Sequence, residues 1–179
     1  MLEHNRLDLV STLLVCARAA TLVMRGPSAA EHGYECLGLG RLYERLGEAA
    51  GAEACYARAA AEAGGTGDGT LRAEALRRLA LSQRRGGRPA EAASSWQALL
   101  ATRGAPGRLR REAREALAIH HEHRAHDIAT ARALTLEALA EPLHGRHLHD
   151  AERRLARLDR KLRRPSRGAL IAGLEDEPA

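Results

Sequence analysis

An internal repeat constrains the fold of this 179-residue chain more than any other feature of its sequence. Two segments share one pattern of small, large and aromatic residues at a constant offset of forty positions. The matched pairs are Leu39 with Leu79, Gly40 with Ala80, Tyr43 with Gln83, Gly47 with Gly87, Ala52 with Ala92, Tyr56 with Trp96, and Ala59 with Leu99. Self-similarity at a fixed period predicts that two copies of one structural unit stack side by side.

Each position in the pattern suits a pair of antiparallel helices. Small residues such as Gly40 let the two helices approach closely, while Tyr56 and Trp96 are expected to fill the space between hairpins. Gly47 stands where the first helix must end and the chain reverse, because glycine takes left-handed backbone angles at little cost. Pro89 follows the second such turn, in the first turn of the next helix, where its missing N–H costs nothing.

The pattern resembles the tetratricopeptide repeat, whose consensus has Leu-Gly, Tyr, Gly, Ala, an aromatic residue and Ala at the same relative positions. The resemblance is good over residues 33–104. The period exceeds the roughly 34 residues of that family, and the surplus falls in Gly64–Gly69 and Gly104–Gly107, which are expected to be loops. A third repeat should pack less regularly, since Ile119 replaces the small residue of the pattern and Thr135 replaces the aromatic residue. The residues that fit its frame are Ala118, Glu122, Asp127, Ile128, Ala131, Ala138 and Leu139.

The sequence therefore predicts an all-α fold, a tetratricopeptide-like stack of about three helical hairpins with an N-terminal helix and a C-terminal capping helix. A capping box at Ser28 and Glu31 is expected to start the first hairpin. Leucines at helical spacing from Leu148 to Leu162 predict the amphipathic capping helix. The expected hairpin helices are roughly 29–46, 48–63, 71–85, 89–102, 108–125 and 127–141. The expected divisions are an N-terminal helix at 1–26, repeats at 28–141, a basic capping helix at 142–164 and a disordered tail at 165–179.

Composition narrows the class of protein further. Alanine, leucine and arginine dominate and phenylalanine is absent, which favours helices over strands. Cys16, Cys36 and Cys55 are odd in number and lack a paired motif, so we expect reduced core cysteines in a cytoplasmic protein. The apolar stretch Val10–Met24 contains Arg18 and is shorter than a bilayer span, so we expect a buried helix and no membrane partner.

A basic binding groove is a further expectation. The net charge is +5, which favours an acidic partner, although arginine on solvated helix faces gives the same balance. In tetratricopeptide proteins the first helix of each hairpin lines a concave groove. The resemblance implies that this groove presents Arg41, Arg45, Arg77, Arg84, Arg85, His120, His123 and Arg124. An acidic peptide segment or a nucleic-acid backbone would suit these side chains, and an ordinary solvated arginine surface is an equal alternative.

A histidine cluster lies near the predicted end of the third hairpin's first helix. His120 and His123 are three residues apart, so two imidazoles share one helix face, and His121 and His126 lie close by. Two ligands do not make a site, and no partner recurs at metal-binding spacing. No metal site is therefore predicted in this cluster.

The N-terminal segment carries one more motif, in which His4 and Asp8 lie one helical turn apart. By itself this spacing indicates a surface hydrogen-bonding pair. The segment through Leu14 nevertheless resembles the last conserved helix of ribonuclease-H-like 3′–5′ exonucleases of the DEDD superfamily, one bacterial branch of which carries a tetratricopeptide tail. The resemblance implies that Asp8 would hold Mg²⁺ or Mn²⁺ and that His4 would act as the base that activates water.

Most of the nuclease core has no counterpart in the sequence. The other acidic motifs of that family are not present, and Asp8 alone cannot hold a two-metal centre. We therefore expect the C-terminal piece of such a protein, with no cofactor for this chain alone. Two function classes stay open: an interaction module that serves a nuclease in cis or in trans, and a metal-dependent exonuclease that the chain represents only in part. An apolar face on the first helix would be exposed if no sheet covers it.

Overall fold

The computed structural model describes residues 2–140 and 145–163, and these residues form helices without any strand. The prediction of an all-α fold is confirmed. The chain divides after Arg110 into two units, each of which is described by itself. In chain order the elements are α1 (Leu2–Arg25), a 3-10 turn (Gly26–Ala29), α2 (Gly33–Arg45), α3 (Ala49–Thr66), α4 (Gly69–Arg85), α5 (Pro89–Leu100), α6 (Gly107–His120), a π-helical turn (His121–Ala125), α7 (Ile128–Leu139) and α8 (Arg146–Arg163).

In the first unit, each helix from α2 to α5 packs on its neighbour in sequence. The interior is built largely from alanine, which lets helix backbones come close. Few large side chains are fully covered, and Tyr56, Trp96 and Leu99 are the main ones on α3 and α5. A buried hydrogen bond from the hydroxyl of Ser95 to the side-chain oxygen of Gln83, 2.8 Å long, ties α5 to α4. Small side chains and a few large ones thus share the core, as the repeat pattern predicts.

α2 and α3 approach each other closely at Gly40. A Cβ atom at this position would lie 2.5 Å from Cε1 of Tyr56 and 3.1 Å from Cβ of Cys55, well inside contact distance. The tyrosine ring therefore occupies the space that a side chain on α2 would need. Its hydroxyl extends the contact by donating a hydrogen bond of 2.7 Å to Glu44. The prediction of a small residue at Gly40 is confirmed.

The reversals after α2 and α4 depend on glycine as predicted. Gly47 and Gly87 have φ angles of 80° and 74°, in the left-handed region that other residues rarely adopt. Pro89 is the first residue of α5, where it lacks only an N–H that the helix would not use.

The predicted capping box at Ser28 and Glu31 is wrong. The hydroxyl of Ser28 donates to the carbonyl of Arg25, and residues 26–29 form a 3-10 turn. α2 begins only at Gly33, after His32 as the N-cap residue.

The predicted loop Gly64–Gly69 is also mostly helical. α3 continues to Thr66, and only Gly67 and Asp68 separate it from α4. The carboxylate of Asp68 accepts a 2.9 Å hydrogen bond from the backbone N–H of Leu71, so this aspartate caps α4 and fixes its start. Tertiary packing outweighs the low helix propensity of the glycines here.

In the second unit, α7 packs on α8. Thr135 of α7 and Leu158 of α8 are fully buried between small residues. Asp127 caps α7 by accepting a 2.9 Å hydrogen bond from the backbone N–H of Thr130. The predicted helix 108–125 is an α-helix only to His120, and a π-helical turn completes it.

α8 confirms the predicted C-terminal helix, while its role as a cap on the stack stays a prediction. Pro142 and the tail at 165–179 lie outside the described residues, so the expected helix end and disorder there stay predictions as well.

Replacing Gly40 with alanine tests the close approach of α2 and α3. Alanine favours a helix over glycine by about 1 kcal/mol, yet the new Cβ would overlap the ring of Tyr56, so we expect Gly40→Ala to lower the free energy of unfolding by about 1–3 kcal/mol. Gly38→Ala, on the same helix with nothing within 4 Å of the added Cβ, should instead raise it. Urea unfolding followed by circular dichroism measures both, and equal effects of the two substitutions would contradict the packing described.

Candidate functional site

α1 exposes an unusual amount of apolar surface. Eight large apolar side chains of this helix are between 48% and 85% exposed: Leu7, Leu9, Val10, Leu13, Leu14, Val15, Val23 and Met24. The expectation that Val10–Met24 forms a buried helix is therefore wrong for this chain. Cys16 is exposed as well, whereas Cys36 and Cys55 are buried as predicted. An apolar surface of this extent indicates an interaction site.

One cluster of charges ties α1 to α2. The guanidinium of Arg18 donates two hydrogen bonds of 2.8 Å to the carboxylate of Glu35 on α2, and a third of 3.0 Å to the carbonyl of Ala29. Glu31 lies 3.2 Å from the same guanidinium. The bidentate bond from Arg18 lowers the pKa of Glu35 to about 2, so this carboxylate is ionised at any neutral pH.

The apolar residues of α1 continue on the side that faces away from this cluster. At 100° per residue, Leu9, Leu13, Cys16, Ala20 and Val23 follow one another at intervals of four and three residues, on the opposite side of the helix from Arg18. All five are exposed. Arg18 thus fixes the point at which α1 meets α2, and the opposite side of α1 carries a continuous apolar stripe. We call these five residues the outer stripe.

The apolar region of α1 extends beyond the predicted stretch Val10–Met24. Asn5–Ala29 spans 25 residues and contains an 18-residue window with a mean hydropathy of 1.7, so it is long and apolar enough to cross a membrane by length and composition. Such a finding near an N-terminus is weak by itself, since signal sequences and core helices share it. Arg18, near the middle of the region, is bound to a residue of α2.

The residues of the predicted nuclease motif both lie on α1. Asp8 is exposed, and His4 belongs to the part of the chain whose side chains are not described. Across the described residues, no group of three or more His, Cys, Asp or Glu side chains gathers in a way that could hold a metal ion. A two-metal reaction needs several converging carboxylates, so the residues described do not fit such a centre.

The predicted basic groove residues divide between the two units, and in the first unit acidic side chains neutralise most of them. Glu74 accepts a 3.5 Å hydrogen bond from Arg41 and lies 3.9 Å from Arg77. Glu44 binds Arg85. Arg78 connects the two carboxylates, with bonds of 3.0 Å to Glu44 and 3.1 Å to Glu74. This surface is a network of ion pairs rather than a row of uncompensated cations.

The ionisation of Glu44 shows the strength of this network of ion pairs. Burial opposes its ionisation, but hydrogen bonds from Tyr56 and Arg85 outweigh burial and lower its pKa. Arg45 and Arg84 are exposed and form no hydrogen bond or ion pair with any residue between 5 and 140 or 145 and 163. Of the five predicted groove residues in the first unit, these two remain available to an acidic partner.

In the second unit, the predicted groove residue His123 lies beside the buried carboxylate of Glu122. The side chain of Glu122 is fully buried, accepts two 2.7 Å hydrogen bonds from Arg157 and one of 2.7 Å from Lys161, and lies 3.6 Å from His123. His123 and Arg124 are exposed, and burial lowers the pKa of His120. Glu122 therefore anchors α8 to the π-helical turn.

Sequence reasoning missed these ion pairs because their partners are far apart along the chain. Glu122 meets Arg157 and Lys161 across 35 and 39 residues, and Arg18 meets Glu35 across 17. Local pairs such as Glu74–Arg78, four residues apart, have the helical spacing that a sequence reveals.

Replacing Glu122 with glutamine should destabilise the protein by about 1–3 kcal/mol at pH 7, because Arg157 and Lys161 lose their buried counter-charge. The pKa of Glu122 is lowered from 4.5 to about 2, first of all by the hydrogen bond from Arg157. Its stabilising contribution is complete above pH 4.5 and is lost as the pH falls towards 2. The gap in unfolding free energy between wild type and Glu122→Gln should close over that range.

Urea unfolding at a series of pH values measures this gap, and Glu152→Gln, an exposed position on the same α8, is the matched control that should change little. A gap that stays constant from pH 7 to pH 2 would show that Glu122 is not held as an ion.

Comparison of the chain with models of known protein families finds no match. Comparison with curated proteins finds no match either. A function for this chain is therefore inferred from its own residues and their geometry.

Proposed function

We propose that this chain is a tetratricopeptide-like interaction module that binds a folded protein domain through α1 and is not catalytic alone. The observation that carries the proposal is the exposed apolar surface of α1. A stripe of apolar side chains that runs the length of a helix is stable in water only when another surface covers it.

The repeat architecture of the first unit supports the module part of the proposal. The forty-residue offset, the fit of Gly40 against Tyr56 and the glycine turns at Gly47 and Gly87 are features that tetratricopeptide hairpins share. Stacks of such hairpins serve as scaffolds whose exposed faces bind other proteins.

A protein surface suits α1 better than a bilayer does. A membrane-spanning α1 would place Arg18 near the bilayer centre, where a charged side chain costs about 2.5 kcal/mol or more. Arg18 is also bound to Glu35 of α2, so α2 and the helices packed on it would have to follow. A protein domain can cover the outer stripe while Arg18 keeps its bonds.

The resemblance of α1 to the last helix of DEDD-type exonucleases suggests which domain this is. In a ribonuclease-H-like fold that helix packs on a β-sheet, and a flat apolar sheet face complements a continuous apolar stripe. We therefore propose a ribonuclease-H-like nuclease domain as the partner, in cis or in trans.

An acidic peptide or a nucleic-acid backbone remains a proposed partner for the basic residues. Such a ligand would meet Arg45 and Arg84 directly, but it would have to displace Glu44 or Glu74 to reach the other groove residues of the first unit. That competition makes α1 the stronger candidate for a specific interface.

A second candidate function is a metal-dependent 3′–5′ exonuclease that this chain represents in part. The observation in its favour is that Asp8, the proposed metal ligand, lies exposed on the helix that bears the uncovered apolar surface. In a complete site Asp8 would hold Mg²⁺ or Mn²⁺ together with other carboxylates, and His4 would take a proton from water.

A nuclease assay separates the two functions. We expect the purified chain with Mg²⁺ or Mn²⁺ to leave end-labelled DNA and RNA intact, because a metal-dependent site needs more carboxylates than Asp8 alone. Cleavage that Asp8→Ala abolishes, and that Glu48→Ala at another exposed position leaves unchanged, would favour the exonuclease and contradict the proposal of a module that is not catalytic alone.

Charges on the outer stripe should abolish the proposed interaction. In the double variant Leu9→Glu with Leu13→Glu, the contact face becomes charged while the fold stays intact, because both side chains are exposed and lie away from Arg18. We expect this variant to lose binding to a ribonuclease-H-like nuclease domain from the same genome by at least a hundredfold, as about 3 kcal/mol is lost when two apolar anchors of an interface are made charged.

Isothermal titration calorimetry measures the affinity, and Leu46→Glu, at an exposed leucine that follows α2, is the control. Flotation with phospholipid vesicles provides the opposing test. Vesicle binding that the double variant loses, together with no binding to the domain, would show that α1 meets a membrane and that the proposal is wrong.

A further inference from the structure

A narrow cavity in the second unit has an unusually basic lining. Arg111 and Arg114 of α6 and His147 and Arg154 of α8 line it, together with Glu115 and Thr135. Three guanidinium groups thus share one small concave space with a single carboxylate. The excess of positive charge favours an anionic ligand.

Two donors in this lining have no partner. The Nε–H groups of Arg111 and Arg154 are buried from solvent, and neither finds a hydrogen-bond acceptor among residues 5–140 and 145–163. A buried donor without a partner costs about 1–3 kcal/mol. Buried polar groups are nearly always satisfied in folded proteins, so Arg111 and Arg154 hold hydrogen-bonding capacity that no described residue uses.

The two arginines are also the least neutralised cations of the cavity. Within the described ranges, Arg111 has no ion pair or hydrogen bond, and the contact of Arg154 with Glu115 is long, at 3.4 Å. Arg114 donates to Glu137 at 3.3 Å, and the hydroxyl of Thr135 is committed to the carbonyl of Ala131 at 2.8 Å. Arg111 and Arg154 stand on different helices, so they can donate to one ligand from two sides.

We propose that this cavity binds a small tetrahedral oxyanion of the phosphate class, held between Arg111 and Arg154. A planar carboxylate is satisfied by one guanidinium edge, whereas a tetrahedral dianion accepts hydrogen bonds from several directions and neutralises two cations. The carboxylate of Glu115 opposes anion binding, and its long contact with Arg154 is the one that the ligand replaces. The site lies within the second unit and does not depend on the docking of α1.

Calorimetric titration of the full-length chain with inorganic phosphate at pH 7, in a buffer without other oxyanions, tests the proposal. We expect saturable binding of one phosphate per chain. Arg111→Gln and Arg154→Gln should each weaken it by about tenfold or more, since each removes charge-assisted hydrogen bonds. Arg153→Gln, an exposed neighbour of Arg154 on the same helix, should leave the affinity unchanged.

Two further titrations define the source of the oxyanion. Adenosine 5′-monophosphate that binds with the same dependence on Arg111 and Arg154 would assign the site to a phosphate monoester, and binding of inorganic phosphate alone would assign it to the free ion. Acetate that binds as tightly as phosphate would overturn the proposed ligand class.

The absence of saturable phosphate binding, or an affinity that both glutamine variants leave unchanged, would overturn the site itself. Circular dichroism shows whether the glutamine variants are folded. If they are not, Arg111→Lys and Arg154→Lys replace them: each keeps the charge but lacks the Nε–H group, and each is expected to weaken binding.

Discussion

The contact between Gly40 and the ring of Tyr56 is the constraint on which the first unit depends. It brings α2 and α3 together, covers the largest buried side chain of α3 and places the tyrosine hydroxyl on Glu44. Glu44 in turn accepts a hydrogen bond from Arg78 of α4. The contact at Gly40 is therefore linked to the second hairpin as well as to the first. Alanine then fills most of the remaining interior, because helices that approach this closely leave little room for larger side chains.

Ion pairs determine which charged side chains of the molecule are available to a binding partner. Glu44 and Glu74 occupy three of the five arginines that the repeat pattern would direct into a groove in the first unit, and Glu122 occupies Arg157 and Lys161 in the second unit. An arginine-rich chain with a net charge of +5 therefore presents fewer free cations than its composition suggests. The described residues also expose a large apolar surface, and it lies on α1.

Local features of the fold could be predicted from the sequence, whereas contacts between residues far apart along the chain could not. Glycine turns, the proline at the start of α5 and the helical spacing of α8 follow from backbone preferences that a few neighbouring residues determine. The Gly64–Gly69 loop was predicted wrongly, since Asp68 and tertiary packing set the helix ends there. The capping box was wrong because residues 26–29 form a 3-10 turn and α2 begins only at Gly33. The partners of Glu122 and Arg18 could not be predicted, because nothing local specifies which of many arginines or glutamates a charged side chain will meet.

The central claim is the proposal that the outer stripe of α1, the helix that Arg18 fixes to α2, binds a second domain. Hydrogen–deuterium exchange of the backbone amides of α1 tests this most directly, because a helix with few covering contacts opens easily. In the chain alone, amides of residues 5–25 should exchange much faster than those of α3 and α4, and a ribonuclease-H-like nuclease domain should slow them. Amides of α1 that exchange at the same rate with and without that domain would contradict the account.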